Sequence, residues 1–116
     1  MKGKYKIGKH LIIDFFDAIN LQNLFLIEKG LTEAAEATGA TIIDRKVHQF
    51  GEGSGITGFI LLAESHISIH TWPEYNFAGI DILTCGSCNG LMAIKPLKQI
   101  FQPKKTDIRE LERGAI

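Results

Sequence analysis

The hydrophobic and polar positions of the chain predict a strand followed by a helix in its first third. Apolar, β-branched and aromatic residues fill most of Lys9–Asp17, which predicts a largely buried strand. From about Leu21 to Thr38 the apolar residues follow helical spacing, and we expect a helix there with Asn20 as its N-cap. Gly39 stands where such a helix would end. Gly30, inside it, lowers the expected helix stability by about 1 kcal/mol relative to alanine.

The rest of the chain reads as further strands and one more helix. Runs of β-branched and aromatic residues indicate the strands, and segments rich in glycine or interrupted by proline separate them. Pro73 ends one strand because it cannot donate to a ladder, and Pro96 must start or kink the second helix. We expect strands at Ala40–Phe50, Ile56 to about Ile69 and Phe77–Thr84, a helix at Leu91–Phe101, a last strand at Thr106–Glu112, and a tail from Gly114.

The order of these elements, βαβββαβ, favours an α+β domain. In such a domain an antiparallel or mixed sheet carries both helices on one face. The other face then needs a cover, and a second copy of the chain across a two-fold axis would supply it as a layered sandwich. A chain of 116 residues with 45% apolar and 22% charged residues is expected to form one domain, residues 1–116.

Charge and hydropathy exclude several classes of partner. The formal net charge is zero, whereas a nucleic-acid-binding surface needs a basic excess on one face. The clustered lysines Lys2, Lys4, Lys6 and Lys9 read as a solvated N-terminal arm. No apolar run approaches the roughly 20 residues that span a bilayer, and the basic start is not followed by the apolar region of a signal peptide. We therefore expect no membrane partner and a cytoplasmic location.

The two cysteines admit three interpretations. Cys85 and Cys88 are too close in sequence to join distant parts of a fold, and in the cytoplasm both are expected to be reduced thiols. Their spacing also fits a redox pair, or half of a zinc site completed by His66 and His70. A spacing of four places both histidines on one face of a strand. Structural zinc sites usually take their second ligand pair from another tight turn, however, so we expect no metal.

The glycine-rich segment Gly51–Gly55 invites comparison with a phosphate-binding loop. It lacks the Lys-Ser/Thr of a P-loop and lies between two strands rather than before a helix. A mobile loop beside a functional site is the better interpretation.

The densest chemistry lies between Ala63 and Glu74. This segment holds a serine, two histidines and two glutamates, and it ends at Trp-Pro-Glu. Hydroxyls and imidazoles are common on the exposed face of a strand, so composition and spacing alone leave a structural role open.

Five motifs lie in order along the chain: Gly8-Lys9-His10-Leu11, Ala40-Thr41-Ile42, Glu64-Ser65-His66 through His70-Thr71-Trp72-Pro73-Glu74, Asp81-x-x-Thr84-Cys85-Gly86 and Glu110-x-x-Arg113-Gly114. In these motifs the chain resembles the short prokaryotic S-adenosylmethionine decarboxylases, which make a pyruvoyl group from an internal serine. The similarity covers nearly the whole chain. It departs from the family pattern at Gly51–Gly55, at Thr57 in place of a serine, and after Cys85, where Cys88 is additional and a Pro-Trp pair is missing.

The resemblance implies a self-cleaving proenzyme. Ser65 would attack the carbonyl of Glu64, and β-elimination would leave a β chain of residues 1–64 and an α chain that begins with a pyruvoyl group at position 65. His70 matches the family's proton acceptor in this processing, and Thr57 would supply the supporting hydroxyl. Such a step requires a strained peptide bond with donors aimed at its oxyanion.

The resemblance also implies the reaction and its substrate. The pyruvoyl group from Ser65 would form a Schiff base with the amine of S-adenosylmethionine and accept the electrons left by departing carbon dioxide. Cys85 matches the proton donor that completes this decarboxylation, which supplies aminopropyl groups for polyamine synthesis. Glu74 matches the carboxylate that pairs with the ribose, and Phe50 and Phe16 are candidates for packing against adenine.

Strand geometry separates Ser65 from His70. The two are an odd number of positions apart, so on one strand they face opposite sides, about 16 Å apart at about 3.3 Å per residue. Either the strand bends sharply between them, or His70 serves Ser65 of a second chain. We favour the second, a homodimer in which one protomer supplies Ser65 and Cys85, and the other Thr57, His70 and Glu74.

Two alternatives stay open from the sequence. Relatives with the same cofactor act on arginine or ornithine, and the altered segments at Gly51–Gly55 and Cys85–Gly90 are where such a change of substrate could lie. The other alternative is a non-enzymatic, zinc-stabilised binding module that never cleaves.

Overall fold

The computed structural model describes residues 6–115, and these form six strands, two helices and two short 3-10 turns. The lysines Lys2 and Lys4 of the expected N-terminal arm lie outside these residues. The elements are β1 (Lys6–Phe16), α1 (Leu24–Ala37), β2 (Ile42–Gln49), β3 (Ile56–Leu62), β4 (Ser65–Trp72), a 3-10 turn (Pro73–Tyr75), β5 (Phe77–Thr84), a 3-10 turn (Gly90–Ala93), α2 (Ile94–Phe101) and β6 (Lys105–Ala115).

The six strands form one antiparallel sheet in the order β2-β3-β4-β5-β1-β6. Inward residues of the strands and the buried sides of both helices share one hydrophobic core, with Ile27 and Leu31 from α1 and Leu97 and Phe101 from α2. The expected α+β class, with both helices on one face of the sheet, is confirmed. Among the described helices, none has the length and apolar character to cross a membrane.

The opposite side of the sheet, here called the open face, carries no helix from the described part of the chain. On β4 buried inward residues alternate with half-buried outward ones, as the period of two requires. The cross-strand register extends this alternation over the neighbouring strands. The open face thus presents His10, Ile12, Asp14 and Phe16 of β1, Thr57, Phe59 and Leu61 of β3, His66, Ser68, His70 and Trp72 of β4, and Phe77, Gly79, Asp81 and Leu83 of β5.

The expected single strand from Ile56 to Ile69 is wrong: it is a hairpin of β3 and β4, so the sheet has one strand more than predicted. Leu62 pairs with Ser65, and Ala63 and Glu64 form the turn between them. In one continuous strand, positions 62 and 65 would face opposite sides. Both are buried on the helix side, because the two-residue turn reverses the chain and resets the alternation.

Several boundaries also differ from the predictions. The N-cap of α1 is Asn23, whose side chain accepts from Leu26 N at 3.0 Å, and not Asn20. The side chain of Asn20 instead donates to Ile100 O at 2.7 Å. Pro96 is the third residue of α2, in the first helical turn, where a missing N–H breaks no helical hydrogen bond.

The last strand is longer than expected. β6 continues through Gly114, so the predicted tail belongs largely to the strand. This extension pairs with the beginning of β1, where Gly8 faces Arg113.

Candidate active site

The turn between β3 and β4 is strained at Glu64, the residue before the bond predicted to break. Glu64 has φ 64°, in the left-handed region that favours glycine or asparagine. For a residue with a Cβ atom this conformation costs roughly 1–2 kcal/mol. The paired strands hold it, because Leu62 and Ser65 are locked in register and Ala63 N donates to Thr41 O at 2.8 Å.

Cys85 contacts this turn directly. Its thiol donates a hydrogen bond to the carbonyl oxygen of Glu64, with Sγ and O 2.9 Å apart. The contact follows from topology, because β4 and β5 are antiparallel neighbours and the residue after β5 therefore lies beside the start of β4. Ser65 is only 8% exposed, and its hydroxyl donates weakly to Ala63 O at 3.4 Å.

Glu64, Ser65 and Cys85 together form an arrangement suited to attack on a carbonyl. The serine hydroxyl is next to the peptide bond, and the thiol donates to the oxygen on which negative charge would develop. A donor positioned in this way stabilises a tetrahedral oxyanion. We call these three residues the cleavage cluster.

Thr57 and His70 form a second group on the open face. They are cross-strand partners in β3 and β4, and Thr57 Oγ1 and His70 Nδ1 are joined by a hydrogen bond of 2.8 Å. His70 faces the side of the sheet opposite to Ser65, as the sequence spacing predicts. Within one chain this pair is therefore separated from the cleavage cluster by the sheet and by most of β4.

Aromatic rings cross the open face beside His70. The His70 ring is 4.0 Å from Trp72 and 6.4 Å from Phe50, measured between centroids. The row continues from Trp72 to Phe77 at 5.4 Å and from Phe77 to Phe16 at 5.3 Å. The two phenylalanines expected at the adenine thus lie at opposite ends of one aromatic row.

Glu74 lies in the 3-10 turn after β4, where its side chain is exposed. It borders a depression with Gln22 and the glycine-rich loop, including Gly53 and Gly55. Gly55 packs so closely against the backbone of Thr71 that a Cβ atom could not be accommodated. The loop thus lies beside a candidate site residue, as expected.

Two features of the open face were not predicted. Phe77 joins the two halves of the aromatic row, and strict alternation along β5 could have identified it. Arg113 Nη1 donates to His10 Nδ1, and His10 Nε2 then donates to Asp81 Oδ1, both at 3.2 Å. Arginine can only donate, so the tautomer of His10 follows from the pair of contacts. This contact joins three strands distant in sequence, and no local pattern indicates it.

The zinc hypothesis gains no support from the geometry. His66 and His70 do share the open face, but His66 stacks on Phe59 at 5.5 Å between ring centroids. Within residues 6–115 there is no group of three or more side chains arranged to hold a metal ion.

Comparison with known proteins gives one consistent result. Residues 9–114 match the family profile described as S-adenosylmethionine decarboxylase. Curated proteins named S-adenosylmethionine decarboxylase proenzyme are similar over almost their full length. The one from Methanococcus aeolicus is 43% identical over 95% of this chain and 96% of its own. The one from Thermomicrobium roseum is 36% identical over 95% of this chain and 96% of its own.

Solved structures agree with these sequence matches. The crystal structure of the Aquifex aeolicus adenosylmethionine decarboxylase superposes with a TM-score of 0.85 at 33% identity, covering 96% of this chain and 93% of that one. A Trypanosoma brucei AdoMetDC monomer shares the fold, with a TM-score of 0.65 at 17% identity over 86% of this chain but only 44% of the longer one. The chain belongs to the S-adenosylmethionine decarboxylase family.

Proposed function

We propose that this chain cleaves itself between Glu64 and Ser65 and then decarboxylates S-adenosylmethionine. The observation that carries the proposal is the hydrogen bond from the Cys85 thiol to the Glu64 carbonyl oxygen, at a turn where Glu64 adopts φ 64°. A buried serine follows that carbonyl immediately. The names of the relatives, proenzyme and S-adenosylmethionine decarboxylase, support both halves of the proposal.

Self-cleavage begins when Ser65 Oγ attacks the carbonyl carbon of Glu64. The Cys85 thiol stabilises the oxyanion of the tetrahedral intermediate. Breakdown of this intermediate transfers the acyl group from nitrogen to oxygen and gives an ester. Removal of the Cα proton of residue 65 then expels the Glu64 carboxylate by β-elimination, and hydrolysis releases ammonia. The reaction leaves chains 1–64 and 65–116, and relief of the left-handed turn favours its first step.

The residues around position 65 fit a pyruvoyl group, because the buried serine and the neighbouring thiol provide its source and a proton donor. This group supplies an electrophilic carbonyl that accepts electrons as carbon dioxide leaves an amino acid. Cys85 then returns a proton to the substrate Cα. Because the thiol must stay reduced to do so, we place the enzyme in the cytoplasm.

A second copy of the chain completes the site in this proposal. Thr57 and His70 lie on the open face, where Phe59 and Leu61 are 41% and 43% exposed. Uncovered apolar residues of this size on a helix-free sheet face favour association. Each Ser65 would thus be served by His70 and Thr57 of the other protomer.

Substrate binding is assigned to the open-face aromatic row and the adjoining turn. Glu74 would pair with the ribose hydroxyls, and either Phe50 or Phe16 would pack against adenine, since one chain holds these two rings at opposite ends of the row. Trp72 and Phe77 lie between them and extend the aromatic surface. A planar base stacks well on such rings, whereas ornithine has no planar group to stack; the guanidinium of arginine can stack too, so the row disfavours ornithine only.

Intact-mass measurement of purified protein tests the cleavage. Wild-type chain is expected to yield fragments 1–64 and 65–116, the second carrying a carbonyl that reacts with hydrazines. Ser65→Ala is expected to stay whole, and Ser87→Ala, on the exposed turn after β5, serves as the matched control and is expected to cleave. An uncut wild-type chain contradicts the proposal.

Carbon dioxide release tests the substrate. Processed enzyme is offered S-adenosylmethionine, arginine and ornithine separately, and only the first is expected to react. Release from either of the others would reassign the substrate while leaving the cleavage intact.

A further inference from the structure

We propose that Cys85 and Cys88 form a reversible oxidation site that switches the enzyme off. This inference rests on the proposed role of the Cys85 thiol. Both cysteines are free and partly exposed, and both line one cavity at the end of β5 with Thr84 and Asn89. Cys88 makes no contact with the cleavage cluster or the open-face pair among the hydrogen bonds and ring contacts described for residues 6–115.

The backbone brings the two cysteines within reach of each other. They are the first and last residues of a four-residue turn whose central residues are Gly86 and Ser87. The ends of such a turn lie less than about 7 Å apart between Cα atoms. Disulfides span about 4.4–6.8 Å between the same atoms.

The turn is also free to adjust. Gly86 has φ 65°, and a Cβ atom added there would meet nothing within 4 Å, so the turn borders open space. Gly86 and Ser87 are exposed. A small oxidant can therefore reach the pair, and a modest change of backbone angles does not disturb the packed core.

Disulfide formation removes the group that the enzyme needs. The two thiols lose two protons and two electrons, both taken up by the oxidant, such as an azodicarboxamide that is reduced to its hydrazide. Cys85 Sγ then has no hydrogen to donate to Glu64 O and no proton to return to the substrate. Reduction by a dithiol reverses both changes. A cytoplasmic disulfide of this kind is typically transient and redox-sensing.

Oxidation of the processed enzyme with diamide tests the inference. The chain has only two cysteines, and both lie in fragment 65–116, so the mass of that fragment reports the bond directly. We expect this fragment to lose the mass of two hydrogen atoms, and decarboxylation to fall in proportion to the disulfide fraction. Dithiothreitol is expected to restore both.

Cys88→Ser is the matched variant, because it removes the second sulfur and leaves the proposed proton donor in place. It is expected to cleave and decarboxylate like wild type and to keep its activity in diamide. Two results would overturn the inference: no loss of two hydrogens from fragment 65–116 of an active enzyme, or a disulfide-bonded fragment that keeps full activity. Failure of the reduced protein to cleave or decarboxylate at all would instead count against the proposed function.

Discussion

At the scale of single residues, Cys85 is placed to act in two different reactions. In the uncleaved chain its thiol donates to the Glu64 carbonyl at 2.9 Å, and in the proposed mechanism the same thiol returns a proton to the substrate after cleavage. A hydroxyl can replace the thiol as a hydrogen-bond donor, but it is a much weaker acid. The two roles can therefore be separated by substitution.

We predict that Cys85→Ala slows self-cleavage about tenfold to a hundredfold, because an oxyanion donor is worth about that much or more in rate. Cys85→Ser is predicted to cleave faster than Cys85→Ala, since the hydroxyl still donates, yet to decarboxylate poorly once cleaved. Time courses of the intact chain on gels, followed by carbon dioxide assays of the processed fraction, measure both. Equal cleavage by wild type and Cys85→Ala would show that the thiol does not assist this step.

The strain at Glu64 leads to a second prediction at this scale. Glu64→Gly removes the Cβ atom that makes φ 64° costly, by roughly 1–2 kcal/mol. If that strain assists the attack by Ser65, the variant cleaves about fivefold to thirtyfold more slowly. Ala63→Gly changes the neighbouring turn residue, which has no positive φ, and controls for added flexibility. If Glu64→Gly cleaves at the wild-type rate, backbone strain at position 64 does not assist the attack by Ser65.

At the scale of elements, Gly30 shows why the helices pack as they do. A Cβ atom at this buried position of α1 would lie 2.8 Å from Cγ1 of Ile100 in α2. The glycine that disfavours the helix by propensity therefore permits the close approach of the two helices. For an alanine at position 30, helix propensity favours the folded state and the clash with Ile100 disfavours it, and we expect the clash to have the larger effect.

We predict that Gly30→Ala lowers the free energy of unfolding by roughly 1–2 kcal/mol, since overpacking costs more than the roughly 1 kcal/mol gained in propensity. Urea denaturation in the uncleaved Ser65→Ala background, at one fixed protein concentration, measures the change. In an Ile100→Ala background the same substitution is expected to become neutral or stabilising. A stabilised Gly30→Ala with Ile100 intact would contradict the packing argument.

The elements also show how far the sequence could be interpreted. Alternation identified the sheet, the helices and the opposite orientations of Ser65 and His70. The hairpin between β3 and β4 was missed because Glu64 is not a residue typical of a left-handed turn position. Its signal was nevertheless present, since apolar Leu62 and Ile67 share one face only if the alternation resets between them.

The chemistry of the site was less accessible from local patterns. The Thr57–His70 bond and the Cys85–Glu64 contact depend on which strands pair. Pairing is a property of the whole sheet rather than of any segment. Similarity to a known family identified these residues, whereas strand spacing showed only that Ser65 and His70 could not meet within one regular strand. Neither family similarity nor strand spacing indicated the network of Arg113, His10 and Asp81.

At the scale of the whole molecule, one chain holds both parts of the proposed site without joining them. The cleavage cluster lies at the turn before β4, and His70 lies on the open face near the other end of that strand. The sheet keeps Ser65 and His70 of one chain apart, so in the proposed mechanism the base comes from a second chain, whose His70 must reach the turn at the end of the sheet where the cleavage cluster lies. In this proposal the same dimer would also cover the apolar surface of the open face.

Complementation between two inactive chains tests this arrangement. Ser65→Ala lacks the nucleophile and His70→Ala lacks the base, and each alone is predicted to remain uncleaved. When the two are co-expressed in equal amounts, about half of the chains that retain Ser65 should pair with a partner that retains His70, as random association in a two-fold dimer requires. Those chains are predicted to cleave. Different tags on the two variants let mass measurement show which chain was cut. Because His70 would then act only across the interface, a mixture in which no chain cleaves, with mixed dimers demonstrably present, would contradict the shared site.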